Sequence, residues 1–199
     1  MILVGICGGT GSGKSTVAKE LANHFKNLGV VILTTDSYYK NHSDLDFSTR
    51  SKINFDHPDS IDFNLLYYNL KNIKKNIKII QPIYSYRIHK RLKKTKVIFP
   101  KKIIIIEGLH VLCNEKINEI LDYKIFLDVD DTTRLQRRII RDTKERGRSI
   151  KEIKKRYKEM CKPMHDEFIN PSKNYADIIL NSEQISIKKI INLISNKIK

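Results

Sequence analysis

Gly8-Gly9-Thr10-Gly11-Ser12-Gly13-Lys14-Ser15 is the stretch on which the fold of this 199-residue chain turns. It fits G-x-x-x-x-G-K-[ST], with Gly8, Gly13, Lys14 and Ser15 at the fixed positions. A polyphosphate needs many donors at close range, and a chain nearly free of Cβ atoms can wrap around it. The backbone N–H groups then form an anion nest, and the positive end of the following helix faces the same phosphates. Gly8, Gly9, Thr10, Gly11, Ser12, Gly13, Lys14, Ser15 and Thr16 are therefore the expected nucleotide-binding set. Lys14 would reach the β- and γ-phosphates and Ser15 would ligate Mg²⁺. The flanks agree. Ile2-Leu3-Val4 suits a buried parallel strand, and Val17, Leu21, Phe25 and Leu28 recur at helical spacing from Thr16 until Gly29 closes the helix. A flexible Gly/Ser loop, the plainer alternative, would not need strand, loop and helix in this order.

Composition bounds the rest. Hydrophobic residues make up 40% of the chain, which is globular rather than disordered, and the length suits one domain over 1–199. No apolar run approaches membrane length, and no basic n-region precedes the first apolar run, so neither a membrane span nor a signal peptide is expected. Cys7, Cys113 and Cys161 read as free thiols of a cytoplasmic protein, and the histidines form no zinc pattern. The net charge of +16 is uneven: Lys71–Lys102 contributes +12, Arg134–Lys162 contributes +9 and the remainder −5. The lysine run at 71–78 reads as solvated surface. The arginines from 134 onward read as a field for anionic nucleotide, in preference to nucleic-acid binding.

In chain order, Val30–Thr34 is a second β-prone run, ending at Asp36-Ser37-Tyr38-Tyr39. An acid just past a parallel strand lies where open α/β sheets place ligands, so Asp36 is a candidate general base, or else a helix cap. Residues 41–59 lack periodicity and read as loop, with Asp56 either binding sugar hydroxyls or capping a turn. Pro58 would pre-set a helix through about Ile73. Residues 77–100 hold two short β-prone runs around a basic connector, a hairpin-like insertion. Its Tyr84, Tyr86 and His89 suit either base recognition or a small apolar cluster. Four isoleucines at 103–106 end in Glu107, a Walker-B-like strand with Glu107 set to hold Mg²⁺ through water. A short helix is expected within 109–121 and a strand at 124–129. Asp131–Glu145 reads as a helix with Leu135, Ile139 and Ile140 on one face. Its Arg134, Arg137, Arg138 and Arg141, with Arg146-Gly147-Arg148 after it, suggest an arginine-rich helical lid, 134–162 with the following helix. Pro163 and Pro171 bracket a short segment. A last strand at 176–180 and a last helix at 185–198 complete an α/β fold, a five-stranded parallel sheet with helices on both faces.

Taken together, Gly8–Thr16, Asp36–Tyr39, Asn54–Asp59, Pro82-Ile83-Tyr84 with His89 and Arg91, Glu107-Gly108, Arg134–Asp142, Arg146–Arg148, Lys162–His165 and Pro171–Asp177 resemble the uridine kinase (uridine–cytidine kinase) family of P-loop nucleoside kinases. The likeness runs from residue 2 to about 180. It implies Mg²⁺-dependent transfer from ATP or GTP to the 5′-hydroxyl of uridine or cytidine, with Asp36 as base and Lys14, Arg141 and Arg146 on the phosphates. It implies ribose contacts from Asp56 and Arg138, and pyrimidine contacts from Tyr84, His89 and Arg148; a pocket shaped by Tyr84 and Tyr86 should exclude a purine. It also implies a homotetramer inhibited by UTP or CTP. The chain departs from the family pattern at Ser85, at Arg156 where a glutamine is usual, and at Asn181-Ser182-Glu183-Gln184. A P-loop kinase of another alcohol would not need the tyrosine–histidine set. A switch GTPase would need Asn-Lys-x-Asp, which is absent. A basic nucleic-acid module leaves Asp36 and Glu107 unexplained.

Overall fold

The structure, a computed structural model, describes residues 1–181 and 187–198. β1 (Ile2–Gly8) runs into the glycine loop, and α1 (Lys14–His24) leaves it. The helix starts two residues before the expected Thr16, because Gly13 at φ 97° caps it directly. It ends at His24, and a 3₁₀ turn over Lys26–Leu28 completes the stretch to Gly29. β2 (Val30–Thr34) follows and closes in a 3₁₀ turn, Thr35–Tyr38.

The expected loop at 41–59 contains a two-turn helix, α2 (Phe47–Lys52), capped by Asp46, whose carboxylate accepts from Thr49 N at 2.9 Å. It has no apolar period because its anchor is a buried cation: Arg50 donates to the Ile88 and Leu45 carbonyls. Pro58 does not open the long helix either. It sits at the start of a 3₁₀ turn, Pro58–Ser60, and α3 (Phe63–Lys74) begins later, where Asp62 accepts from Leu65 N at 3.0 Å. The capping aspartate fixes the start, since it satisfies an N–H that has no partner inside the helix.

β3 (Ile79–Ser85) and β4 (Lys90–Ile98) form the hairpin, an antiparallel two-stranded sheet with an irregularity between Pro82 and Tyr84. β5 (Ile103–Glu107), α4 (Glu115–Ile120) and β6 (Tyr123–Asp128) return the chain to the main sheet. α5 (Asp131–Arg146) ends at Gly147, φ 63°. α6 (Ile150–Arg156) continues without a break through a π turn, Tyr157–Cys161, a short α7 (Lys162–Met164) and a second π turn, His165–Ile169. Pro163, expected at a boundary, lies inside this helical run. A proline costs a helix its i→i−4 bond, and here π-type hydrogen bonds flank it, with Asn170 N reaching His165 O at 2.7 Å. β7 (Ile178–Asn181) and α8 (Ile187–Ile198) complete the chain. Of the departure at 181–184, residues 182–184 lie outside the described residues.

The five strands pair in parallel in the order β2-β5-β1-β6-β7. Side-chain alternation splits the core into two. Leu3, Cys7, Ile104, Ile106 and Phe126 face Leu66, Leu70 and Ile73 of α3. Ile2, Val4, Ile6, Ile103 and Ile105 face Val17, Ala18 and Leu21 of α1 and Ile190 and Ile194 of α8. That two-sided burial is why β5 reads as an unbroken isoleucine run.

One helix reverses its expected face. On α5 the buried residues are Arg134, Arg138 and Asp142, while Ile140 is 59% exposed and Leu135 and Ile139 are half-buried. This face packs on the backbone of the glycine loop rather than on an apolar core. Gly11, at φ 77°, leaves room for the Arg134 carbonyl that a Cβ would strike.

Ile104→Ala and Ile105→Ala should each cost about 2–5 kcal/mol, as buried large-to-small changes do. Because Ile105 and Leu70 lie in different cores, Ile105→Ala and Leu70→Ala should add within about 0.5 kcal/mol. Ile104 shares a core with Leu70, so that pair should deviate from additivity. Denaturant midpoints at constant m-value measure both.

Candidate active site

Parallel strands deliver their carboxyl ends to one edge of the sheet, and here that edge forms a cleft. It encloses about 770 Å³ including its open mouth, within the range of small-molecule sites. The register Thr34↔Glu107↔Ile6 aligns the ends of β2, β5 and β1. It brings Asp36, Glu107 and the glycine loop together.

From the loop, Thr10, Lys14 and Ser15 line the cleft. Gly8, Gly9, Gly11, Ser12 and Gly13 form the loop behind them, and Thr16 is exposed on the first turn of α1. Ser12 Oγ is buried without a partner among the described residues. Lys14 is buried and its Nζ donates to Gly9 O at 2.9 Å. Burial lowers the ammonium pKa, opposed chiefly by the charge of Glu107. Burial likewise raises the Glu107 carboxyl, opposed by Lys14. Each is the other's main counter-charge. Ser15 Oγ donates to Glu107 Oε2 at 3.2 Å. A hydroxyl and a carboxylate side by side are hard oxygen donors of the kind Mg²⁺ takes, so this donor set fits the metal. Gly108 follows, packed so close to Thr35 that a Cβ would collide with its hydroxyl.

Asp36 stands in the turn after β2, and its Oδ2 accepts from the Tyr86 hydroxyl at 2.6 Å. That contact ties the hairpin to the sheet edge. Burial, then the Asp36 charge and this hydrogen bond, raise the Tyr86 phenol pKa. The aromatic groups pack edge to face: Tyr84 lies 5.7 Å from Tyr86, 5.0 Å from Tyr39 and 5.8 Å from Phe55. His89, at φ 50°, stacks on Phe55 at 5.4 Å and 15°. Burial, then the charges of Arg148, Arg156 and Arg50, lower the His89 pKa, which favours the neutral ring. Arg91 makes the hairpin a fixed wall by donating to the Tyr39 and Tyr38 carbonyls at 2.7 and 3.0 Å and to Asp62.

The remaining wall is built by α5, the turn after it and α6. Arg138 Nη1 donates to Thr10 Oγ1 at 3.0 Å and lies 3.8 Å from Asp56 Oδ1. Arg141, Arg146, Arg148 and Arg156 also line the cleft, and the Arg146 guanidinium lies 4.7 Å from the Tyr86 ring centroid. Arg134 and Arg137 do not belong to this set. Arg134 is buried behind the loop, held by Val129 O and Asp131, and Arg137 is exposed. The expected site residues other than the loop glycines, Ser12 and Thr16 thus converge on one cleft.

Sequence reasoning missed three participants. Phe55 and Tyr39 line the aromatic end; Phe55 had no period to flag it. Asp142 is fully buried and gathers Arg141 at 2.8 Å, Arg138 at 3.4 Å and Arg146 at 3.6 Å. Burial would raise its carboxyl, but the Arg141 hydrogen bond and the three positive charges outweigh that and hold it below the usual range. The i, i+4 spacing of 138, 142 and 146 was the available signal. The cleft carries six cations against three carboxylates, Asp36, Asp56 and Glu107. It can neutralise a polyanion, accept a proton at Asp36 and bind a hydroxylated aromatic compound.

Residues 3–187 match the model of the phosphoribulokinase / uridine kinase family. A uridine kinase of Clostridium novyi (strain NT) is 46% identical over 100% of this chain and 95% of its own. A uridine kinase of Clostridium botulinum (strain Okra / Type B1) is 47% identical over 90% of this chain and 87% of its own. The solved phosphoribulokinase from Rhodobacter spheroides superposes with a TM-score of 0.65 at 14% identity, covering 90% of this chain and 69% of that one, a likeness of fold. The family match over residues 3–187 and relatives 46% and 47% identical along most of both chains show that the chain belongs to the phosphoribulokinase / uridine kinase family.

Proposed function

We infer that this chain is a pyrimidine ribonucleoside kinase, transferring the γ-phosphate of ATP or GTP to the 5′-hydroxyl of uridine or cytidine to give UMP or CMP. The observation that carries this is Asp36 accepting a hydrogen bond at 2.6 Å from the Tyr86 hydroxyl, in the same cleft as Lys14 and the arginines. A carboxylate that already takes a hydrogen bond from one hydroxyl is placed to take one from a substrate alcohol. The full-length likeness to proteins named uridine kinase points to the same chemistry.

Phosphoryl transfer is mostly positioning and charge stabilisation. Lys14 and the loop N–H groups hold the donor phosphates; Ser15 and Glu107 would hold Mg²⁺, which when bound neutralises charge on the phosphate oxygens. Asp36 takes the proton of the attacking hydroxyl. Asp56 and Arg138 hold the ribose. Tyr84, Tyr86, His89 and Arg148 form the pyrimidine end, with Phe55 as a further stacking surface. Arg141 and Arg146 act as lid residues on the transferring phosphoryl group. The same assignment extends to a cytoplasmic homotetramer inhibited by UTP or CTP, with no nucleic-acid partner.

A coupled ADP-release assay should show turnover of uridine and cytidine and little of adenosine or guanosine; a purine preference overturns the substrate class. Lys14→Ala and Glu107→Gln should each reduce turnover severely while the protein stays folded, and wild-type turnover in either would sink the assignment of those residues.

Arg146→Ala should lower kcat much more than it weakens ATP binding, because its contact belongs to the closed, transition-state-like form. Calorimetry showing an affinity loss equal to the whole rate loss would contradict this.

His89 is neutral at neutral pH because its pKa is lowered by burial and by Arg148, Arg156 and Arg50. Protonating it would add a positive charge beside three arginines. The kcat/KM for uridine should therefore be flat through neutrality and fall as pH drops through this lowered pKa, below the ordinary imidazole range. His89→Asn keeps a residue that tolerates φ 50° and should remove that acid limb. A limb that persists in the variant assigns it elsewhere.

A further inference from the structure

The helical run after α6 puts a thiol where no expected site residue lies. Cys161 is 3% exposed and closes the π turn Tyr157–Cys161. Its Sγ donates to Asp56 Oδ2 at 3.3 Å. A π turn inserts one extra residue per turn and rotates the following side chains about the helix axis, and such turns cluster at functional sites.

Asp56 has partners at its N–H, its carbonyl and its carboxylate. Its N–H donates to Asn54 Oδ1 at 3.1 Å, and His110 Nε2 lies 2.8 Å from its carbonyl. Its Oδ2 takes the Cys161 thiol, and its Oδ1 lies 3.8 Å from Arg138 Nη1, beyond hydrogen-bond range. Asp56 lines the cleft with a side chain 15% exposed. Oδ1 therefore keeps acceptor capacity that no hydrogen bond among the described residues uses.

We propose that Cys161 is a positioning residue: its thiol occupies Oδ2 of Asp56, so that Oδ1 alone presents to a ribose hydroxyl, in a fixed rotamer. This rests on the nucleoside kinase assignment above. Thiol chemistry beyond hydrogen bonding is not involved. Burial, then the charge of Asp56, push the Cys161 pKa up to about 12, with Arg138 opposing, so the group stays a donor throughout the working range. A thiol is a weak donor and a long one, which suits a contact that only orients the carboxylate.

The test compares Cys161→Ala and Cys161→Val, which remove the donor, with Cys161→Ser, which keeps one. Each is assayed with uridine, 2′-deoxyuridine and 3′-deoxyuridine. Removing the donor should raise KM for uridine about three- to tenfold, the scale of one modest hydrogen bond, with kcat changed less than about twofold. The KM for ATP should not move. The preference in kcat/KM for uridine over at least one deoxy analogue should shrink by the same factor, since the analogue lacks the hydroxyl that Asp56 holds. Cys161→Ser should recover most of the loss. Cys161→Val fills the space without donating, so it separates packing from hydrogen bonding should Cys161→Ala fold poorly. Equal losses on uridine and on both deoxy analogues, or a valine variant indistinguishable from wild type, overturn the proposal while leaving the kinase assignment intact. A wild-type protein that phosphorylates no nucleoside overturns both.

Discussion

Six cations share one cleft with three carboxylates, and the rest of the structure is arranged around keeping that imbalance tolerable. Like charges this close repel in a medium less polar than water. The chain answers with Asp142, a fully buried carboxylate outside the cleft lining that gathers Arg138, Arg141 and Arg146 from behind. Removing one partner from a buried charge set leaves the others uncompensated, a larger loss than the set's net contribution. Arginine suits the arrangement because it keeps its charge when buried and offers several N–H groups, some to Asp142 and others to a ligand. The surplus left over is what an anionic ligand would neutralise. The pKa of Lys14 is lowered chiefly by its burial, with the charge of Arg141 a minor addition.

The sheet and its edge were legible because their signals are local and redundant. The glycine loop needs a strand before it and a helix after it. Ile103–Ile106 are apolar at every position because both faces of β5 are buried, and Glu107 breaks that run where the strand reaches the cleft. Asp36 and Glu107 were identified as strand-end acids, and the paired register of β2 and β5 brings them to one place. The hairpin was legible from its two β-prone runs, though not that Tyr86 would bond Asp36 or that Arg91 would tie it to the chain at Tyr38 and Tyr39. Those are contacts between segments about 50 residues apart, with no periodicity behind them.

What stayed hidden did so for a common physical reason: polar atoms stand in where apolar periodicity was sought. α2 is anchored by Arg50 rather than by an apolar stripe. α3 begins at Asp62 because a carboxylate reaches Leu65 N, while Pro58, the stronger punctuation mark, opens only a 3₁₀ turn. Pro163 sits within a helical run because π turns on either side rearrange the bonds that it cannot make. The π turns themselves left no mark on the sequence, and one of them sets Cys161 against Asp56.

The same inversion decides what α5 packs against. A search for an apolar face selects Leu135, Ile139 and Ile140, yet Arg134, Arg138 and Asp142 are the buried ones. The reason is the partner surface. Bare backbone at Gly9 and Gly11 lies against Arg134, whose carbonyl fits only because Gly11 has no Cβ, and Arg138 bonds Thr10. The first half of α5 is thereby locked to the phosphate loop. The second half has no such lock. Past Asp142 the helix ends at Gly147, whose left-handed φ of 63° has nothing within 4 Å of its would-be Cβ. Arg146 and Arg148 flank that glycine, one over the Tyr86 ring and the other paired with Glu152. The turn around Gly147 is held by backbone, the Gly147 and Arg148 N–H groups both donating to the Asp142 carbonyl. Arg138, bonded to Thr10, is a wall of the cleft.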